Sequence, residues 1–245
     1  MGLIQYTAAR RLDRIMDSQG DGTGTVTQVV TAKTVSGATN ATPIVVTATS
    51  HGYTDGDFVN ITGVVGTTAC NDLHIVANKT SNTFELTTPA GADVAGNGAY
   101  SSGGAAHLCF ACKPASGERF CLHKFAGYFQ GGNVQRASYY GPWSPSLGTA
   151  LTVGVEVQVR QDTTLVHTLS PAPIKTAPMG WMLGARQLPH FESIVGTASN
   201  FRWDFSTCAV NLDGDADEFF VVLHSDNMTA TAVERQLMSV HGESI

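Results

Sequence analysis

Short runs of alternating apolar and polar residues, each ended by Gly, Asn, Asp or Pro, constrain the fold of this chain more than any other feature. A period of two places successive side chains on opposite faces of a strand, so each run predicts a half-buried β-strand. Between Thr25 and Leu108 these runs are VTQVVTA, PIVVTAT, DFVNITGV, LHIVANK and TFELTT. They predict a small β-domain of about five strands.

The runs after Leu108 are longer and more aromatic. They are HLCFACK, RFCLHKFAGYF, LTVGVEVQVRQ, TLVHTLS, FRWDFS and EFFVVLHSD, with a last stretch ERQLMSVHG. Prolines punctuate the segments between them, and proline is excluded from central strands. We therefore expect an antiparallel β-sandwich with jelly-roll-like connections. One turn of helix is expected in GWMLGAR, residues 180–186.

The N-terminal segment has a different pattern. Apolar residues recur at helical spacing in TAARRLDRIM, residues 7–16, which predicts one short amphipathic helix. The glycines of GDGTGT end this helix, because glycine disfavours helices and favours turns. The expected organisation is a helical arm and hinge at 1–24, the small β-domain at 25–106 and the β-sandwich at 107–245.

Composition limits the partners that the chain can bind. The formal net charge is −6 and the pI about 5.7, so no basic stripe is available to follow a phosphate backbone, and we expect no direct nucleic-acid binding. No apolar run approaches the roughly 18 residues of a membrane-spanning helix, and residues 1–18 lack a signal-peptide core. The expectation is a soluble protein, made in the cytosol, without membrane partners.

The cysteines allow two interpretations. Cys109, Cys112, Cys121 and His123 lie within CFACKPASGERFCLH, and four soft ligands at this spacing are able to close a tetrahedral zinc site. The alternative is buried free thiols. It is favoured because strand alternation places Cys109 and Cys112 on opposite faces, while Pro-Ala-Ser-Gly predicts a hairpin turn between two strands. An odd total of five cysteines also favours free thiols.

Other candidate sites are weaker. In NLDGDADE, Asp213, Asp215 and Asp217 alternate as at the start of a calcium loop, but Glu218 and His224 replace the Gly and Glu that such a loop requires. We expect an acidic hairpin tip instead. The sequence contains no nucleophile elbow, and Glu118, Glu156, Glu192 and Asp204 are isolated within different strands or loops, so no catalytic residue and no cofactor are expected. Three aromatic residues, Trp143, Trp181 and Trp203, are alternative candidates for a surface on which sugar rings stack.

One stretch resembles a known module. The residues from Pro43 to Thr88, followed by GNGAYSSGG, are similar to the FCCH-type β-domain, which is named after ubiquitin-activating enzymes and occurs in tailed-phage virion proteins. The resemblance rests on short turn motifs: His51-Gly52-Tyr53, Gly56-Asp57, Asn71-Asp72, Asn82-Thr83-Phe84, Ala99-Tyr100 and Gly103-Gly104. The module carries no catalytic residue of ubiquitin activation, so it implies a binding or structural unit. Asp55 and Asp57 are accordingly interpreted as turn residues.

The remaining chain resembles a family of small tailed-phage virion proteins. The resemblance lies in the helix with DGTGT, in CFACKPASGERFCLHKFAGYF, and in FRWDFS, NLDGDADEFFVVLHSDNM and ERQLMSVHGES. On this frame the FCCH-like unit is an insertion after Thr25, and the sandwich resumes near His107. Insertions are tolerated at exposed loops whose ends lie close together.

The resemblance implies a non-enzymatic virion protein, most plainly a capsid decoration or cement protein on the exterior of the particle. Its expected partners are the major capsid protein and further copies of itself in a homotrimer. Three arginines of the arm are the expected partner-binding residues: Arg10, Arg11 and Arg14. The alternative is a tail-associated adaptor or fibre protein that binds host-surface glycans.

Overall fold

The computed structural model describes residues 32–130, 155–168, 189–190, 194–195, 198–204, 210–224 and 235–244. Its strands, in chain order, are β1 Lys33–Thr34, β2 Gly37–Ala38, β3 Val45–Thr47, β4 Phe58–Thr62, β5 Leu73–Ala77, β6 Thr83–Thr87, β7 Ala105–Cys112, β8 Arg119–Gln130, β9 Val155–Gln161, β10 Thr164–Thr168, β11 Pro189–His190, β12 Ile194–Val195, β13 Ala198–Asp204, β14 Val210–Asp213, β15 Glu218–His224 and β16 Arg235–Ser244. A single 3₁₀ turn, Thr68–Cys70, is the one helical element in the described part of the chain.

The first half of the described chain forms a closed barrel. Strands β7, β4, β5, β6 and β3 are neighbours in that order. The segment 33–38 closes the ring, because β1 pairs with β7 while β2 pairs with β3. Two further bonds hold this seam, since Val35 N–H donates to Gly104 O and Ser36 N–H donates to Thr47 O. Closure leaves no free strand edge, which protects a small β unit from edge-to-edge pairing.

Side chains from β3, β4, β5, β6 and β7 fill the interior of the barrel. This barrel core is composed of buried residues that include Val46, Val59, Ile61, Val76, Phe84, Leu86, Ala106 and Leu108. On β4, β6 and β7 these residues are two positions apart, as the pleat of a strand requires. The predicted strands PIVVTAT, DFVNITGV, LHIVANK and TFELTT are therefore confirmed as β3, β4, β5 and β6.

Strand β7 extends out of the barrel into a second unit. Its first half pairs with β1 and β4, and its last three residues, Phe110–Cys112, pair with β15. Beyond β15 the sheet continues to β9 and then β10. The strand thus runs without interruption through the predicted boundary between residues 106 and 107. The division into domains at 25–106 and 107–245 stays a prediction.

A second core lies on the outer face of the barrel strands. Phe58 on β4 and Cys109 on β7 point away from the barrel core, since they alternate with its residues. They pack with Leu73, Phe219 and Val221, and the rings of Phe58 and Phe219 have centroids 5.1 Å apart. Burial of two Phe side chains contributes about 3 to 6 kcal/mol. This outer core joins the barrel to the strands that follow it in the sheet.

The second sheet is organised around β8. Its described strands include β13 and β14 along one edge of β8 and β16 along the other. The chain changes sheets several times, and the two crossings whose connections are fully described are those between β7 and β8 and between β14 and β15. The prediction of an all-β, antiparallel fold is confirmed, and all the pairs are antiparallel in the parts described. The jelly-roll-like order of connections stays a prediction.

The structure corrects two local predictions. Both Pro-Ala-Ser-Gly and NLDGDADE were expected at hairpin turns, but β7 and β8 belong to different sheets, as do β14 and β15. Turn chemistry predicts where a chain reverses and leaves open which strand becomes the partner. The predicted N-terminal helix, the strand VTQVVTA and the helical turn at 180–186 lie outside the described residues, apart from Ala32.

The close approach of residue 66 to the backbone of Ala99 requires glycine, which generates a prediction. A Cβ on Gly66 would lie 1.9 Å from the carbonyl oxygen of Ala99, and its φ is +98°. The matched control is Gly91, which has φ +92° and nothing within 4 Å of its Cβ position. Gly91→Ala is expected to cost about 1 kcal/mol through φ alone, whereas Gly66→Ala adds about 1 to 3 kcal/mol of steric strain. Urea denaturation followed by circular dichroism measures both, and equal losses would contradict the account.

Candidate functional site

Two turns lie side by side where the chain passes between the sheets. We call residues 113–118 and 214–217 the paired turns. Gly214 N–H donates to the carbonyl oxygen of Glu118 at 2.9 Å. The approach requires glycine, because a Cβ on Gly214 would lie 2.0 Å from Ala115 O. The two sheet crossings therefore hold each other in place through backbone contacts.

Asp215 lies in the second of the paired turns, and its side chain is hydrogen-bonded to the first. Its Oδ1 accepts hydrogen bonds from Gly117 N–H at 2.7 Å and from the Ser116 hydroxyl at 3.0 Å. The Gly117 bond, followed by the Ser116 bond, lowers the pKa of Asp215 from its ordinary value of 3.8. Hydrogen bonds to the ionised form favour it, so this carboxylate is a fixed acceptor at neutral pH.

Lys113 connects the paired turns to the barrel. Its Nζ donates to Asp217 Oδ1 at 2.7 Å and to the carbonyl oxygen of Pro89, which follows β6. The turn between β9 and β10 joins the same network, because Asp162 Oδ1 accepts Ala90 N–H at 2.9 Å and Asp162 N–H donates to Asp217 O at 3.1 Å. Four segments that are distant in sequence thus share one polar joint.

The carboxylates of this joint have protein donors. Asp213 accepts from Arg119 at 3.0 Å and from Asp215 N–H at 3.0 Å, while Glu218 accepts Asp213 N–H at 3.0 Å. Among the described residues, no group of three or more His, Cys, Asp or Glu side chains is arranged to hold a metal ion. The described contacts of the joint hold the strand crossings together.

The cysteine pattern is divided between environments. Cys70, Cys109, Cys112 and Cys121 are buried, and none of these four forms a disulfide in the described part of the chain. Cys109 packs in the outer core, whereas Cys112, three residues further along β7, lies on the opposite face. The side chain of His123 lies outside the described residues, as does Cys208. The zinc alternative therefore has no test that includes all four of its ligands.

The motifs that resemble the FCCH-type domain act as turn supports. Asp57 Oδ2 accepts Thr54 N–H at 2.7 Å, and Asp55 Oδ1 accepts Lys79 N–H at 3.0 Å. Asn71 exchanges two bonds of 2.8 Å with the backbone of Val64. Asn82 Oδ1 accepts Ser50 N–H at 3.0 Å. The prediction that these aspartates are turn residues is confirmed.

Several predicted residues cannot be placed. Arg10, Arg11 and Arg14 lie outside the described residues, as do Trp143 and Trp181. Trp203 lies in β13, where the backbone alone is described. Their roles in partner or sugar binding stay predictions. In the described part of the chain, no helix has the length and apolar character needed to span a membrane.

Sequence reasoning missed the polar joint and a second long-range contact. Arg160 is buried on β9, and its Nη2 lies 3.4 Å from Asp72 Oδ1 and donates to Thr163 O at 2.6 Å. The residues of both sites are separated by long stretches of sequence, so spacing gives no signal of their proximity. Only a map of strand pairing predicts such contacts.

Comparison with known proteins adds no family assignment. No protein-family model matches the chain, and no curated protein is significantly similar to it in sequence. The resemblances described above therefore rest on the motifs of this chain alone.

The polar joint generates a stability prediction. Lys113→Met retains the aliphatic stem but removes the charged donor to Pro89 O and to Asp217. The side chain of Lys113 is 15% exposed and that of Asp217 is 36% exposed. We expect a loss of about 1 to 2 kcal/mol, discounted for partial exposure. Lys79→Met is the matched control at an exposed lysine and is expected to stay within about 0.5 kcal/mol of wild type. Urea denaturation at pH 7.5 measures both, and indistinguishable variants would contradict the role of the joint.

Proposed function

We propose that the protein is a non-enzymatic structural component of a tailed-phage virion, a capsid decoration protein that binds and stabilises the assembled capsid lattice. The observation that carries this proposal is the use of the described polar motifs. Asp55, Asp57, Asn71 and Asn82 all support turns, and the acidic NLDGDADE stretch holds two sheet crossings together. Residues committed to architecture suit a protein whose function is assembly.

The barrel and the second unit suit different positions in the proposed assembly. The barrel is closed, so it offers no strand edge to a neighbour and suits the solvent-facing side of the particle. The second unit carries two adjacent exposed apolar side chains on β10, Leu165 at 49% and Val166 at 38%, whereas the described part of the barrel carries one, Val65 at 53%. Exposed apolar surface favours burial against a partner. We therefore assign the capsid-binding surface to the second unit, with residues 1–24 as an additional arm.

The proposed mechanism is linkage between binding and assembly. A subunit that binds only the assembled shell stabilises it by mass action, by about 2.7 kcal/mol per site when the free subunit is at 100 times its Kd. Copies related by threefold positions of the lattice would form the homotrimer. Arg10, Arg11 and Arg14 are proposed to contact acidic surface of the major capsid protein, because arginine forms strong charge-assisted bonds to carboxylates.

The arm is tested by occupancy on particles. Deleting residues 1–18, or replacing Arg10, Arg11 and Arg14 together with Ala, is expected to lower occupancy on expanded capsids at least about tenfold at limiting protein, because three charge-assisted contacts contribute a few kcal/mol. Lys79→Ala, at an exposed barrel position, is the matched control and should bind as wild type does. Quantitative mass spectrometry of purified particles measures occupancy, and unchanged binding of both arm variants would exclude the arm.

Location in the virion separates the proposal from its rival. Density for the protein on the head lattice, in a copy number that matches threefold positions, is the expected result of particle imaging. Density confined to the tail, at a few copies per particle, would replace the proposal with a tail adaptor or fibre protein. The aromatic residues Trp143, Trp181 and Trp203 would then be the first candidates for glycan contacts.

A further inference from the structure

His51 lies fully buried in the turn that leads from β3 to β4, with 0% of its surface exposed. Its Nδ1 lies 3.0 Å from the backbone nitrogen of Tyr53, and its Nε2 lies 3.3 Å from the carbonyl oxygen of Thr83. The rings of Tyr53 and Phe84 enclose it, each with a centroid 5.1 Å from that of His51. Both ring nitrogens therefore contact backbone groups, and water has no direct access.

These two contacts determine the protonation state of the ring. A backbone N–H only donates, so Nδ1 has to accept from Tyr53 without a proton of its own. A carbonyl oxygen only accepts, so Nε2 has to carry the proton towards Thr83. The neutral Nε2–H tautomer satisfies both contacts. A protonated ring carries a second N–H at Nδ1, which faces the N–H of Tyr53. The two donors repel each other, and this disrupts the turn.

The surroundings of His51 oppose a positive charge. Burial lowers the pKa of His51 below its ordinary value of 6.5, the bonds to backbone raise it in part, and the cationic side chains of Lys79 and Lys33 lower it further. Tyr53 is the titratable group in ring contact, and burial raises its pKa, so it stays neutral. Lys79 lies between β5 and β6, and Lys33 lies on β1, at the barrel seam.

Tyr53 connects this turn to the seam of the barrel. Its hydroxyl donates to the carbonyl oxygen of Ala106 at 2.9 Å. Ala106 lies on β7 and is the partner of Lys33 in the short β1–β7 ladder that closes the barrel. That ladder includes only two residue pairs, with Val35 N–H to Gly104 O beside it. A change in the position of Tyr53 therefore acts on one of the two shortest ladders of the barrel wall, the other being β2–β3.

We propose that His51 is a pH-sensitive contact whose protonation in mild acid releases Tyr53 and opens the β1–β7 seam. The unfolded or opened chain binds the proton near pH 6.5, whereas the closed barrel binds it only at lower pH. Stability of the seam is thus complete above pH 6.5 and falls as the pH decreases below that value. This device does not depend on the proposed virion function.

Hydrogen exchange at single amides of the full-length protein tests the proposal. After correction for intrinsic exchange rates, the opening constants at Tyr53 and Val35 are expected to rise by up to about tenfold per pH unit between pH 6.5 and pH 5. His51→Asn retains an acceptor for the amide two residues ahead, as in an Asx turn, and does not titrate. Its opening constants at these amides are expected to be independent of pH.

A matched control separates His51 from His74, another buried histidine of the barrel. His74, which is 4% exposed, has Nε2 3.1 Å from Cys70 O, and its own pKa is lowered by burial. His74→Gln is expected to retain the pH response at Tyr53 and Val35. A wild-type seam whose opening does not change with pH would overturn the proposal, as would a response that persists in His51→Asn.

A spectroscopic measurement keeps the proposal testable if His51→Asn does not fold. Nitrogen-15 NMR of the wild-type histidine rings distinguishes the two neutral tautomers from the charged form. The expected result at pH 7.5 is an Nε2–H ring at His51. An Nδ1–H tautomer or an imidazolium at that pH would contradict the geometry on which the proposal rests.

Discussion

The backbone pairing of β7 is the constraint on which the rest of the structure depends. Along one edge it pairs with β4 over Ala105–Cys109, and along the other it pairs first with β1 and then, from Phe110, with β15. The exchange of β1 for β15 ends the barrel and begins the extended sheet. Each residue of a strand offers one backbone donor and one backbone acceptor. The eight residues of β7 therefore supply backbone hydrogen bonds to strands of both units.

The pleat of β7 gives each unit its own core. Ala106 and Leu108 point into the barrel, and Cys109, on the other face, packs with Phe58 and Phe219. A strand buried on both faces has to be apolar at nearly every position, and AAHLCFAC meets that requirement. Cys109 and Cys112 meet this requirement on β7, since a thiol is a small apolar group.

Local signals in the sequence predicted the local structure. Period-two runs identified β3 to β6, and the same turn chemistry that marks Asp57, Asn71 and Asn82 in the sequence supplies their hydrogen bonds. Pairing over long distances had no such signal. The closure of the barrel by residues 33–38, the crossings at the paired turns and the contact between Lys113 and Pro89 each depend on which strands become neighbours. The turns were predicted as hairpins because turn residues are the same at a hairpin and at a crossing between sheets.

The proposal about function rests on two different sets of residues. The residues that the structure describes explain how the molecule is held together, and the arginines proposed to bind the capsid belong to the arm ahead of it. What the fold contributes to that proposal is a closed barrel joined to a second unit through a continuous strand, with the polar joint as a further connection.

Amide hydrogen exchange along β7 is the most direct test of this account. If the strand is shared, the hydrogen-bonded amides from Ala105 to Cys112 will have opening free energies of one magnitude, with no step between Cys109, where pairing with β4 ends, and Phe110, where pairing with β15 begins. Strong protection at the amides that pair with β1 and β4, together with free exchange at those that pair with β15, would show two separately folding units. That result would contradict the central role assigned to β7.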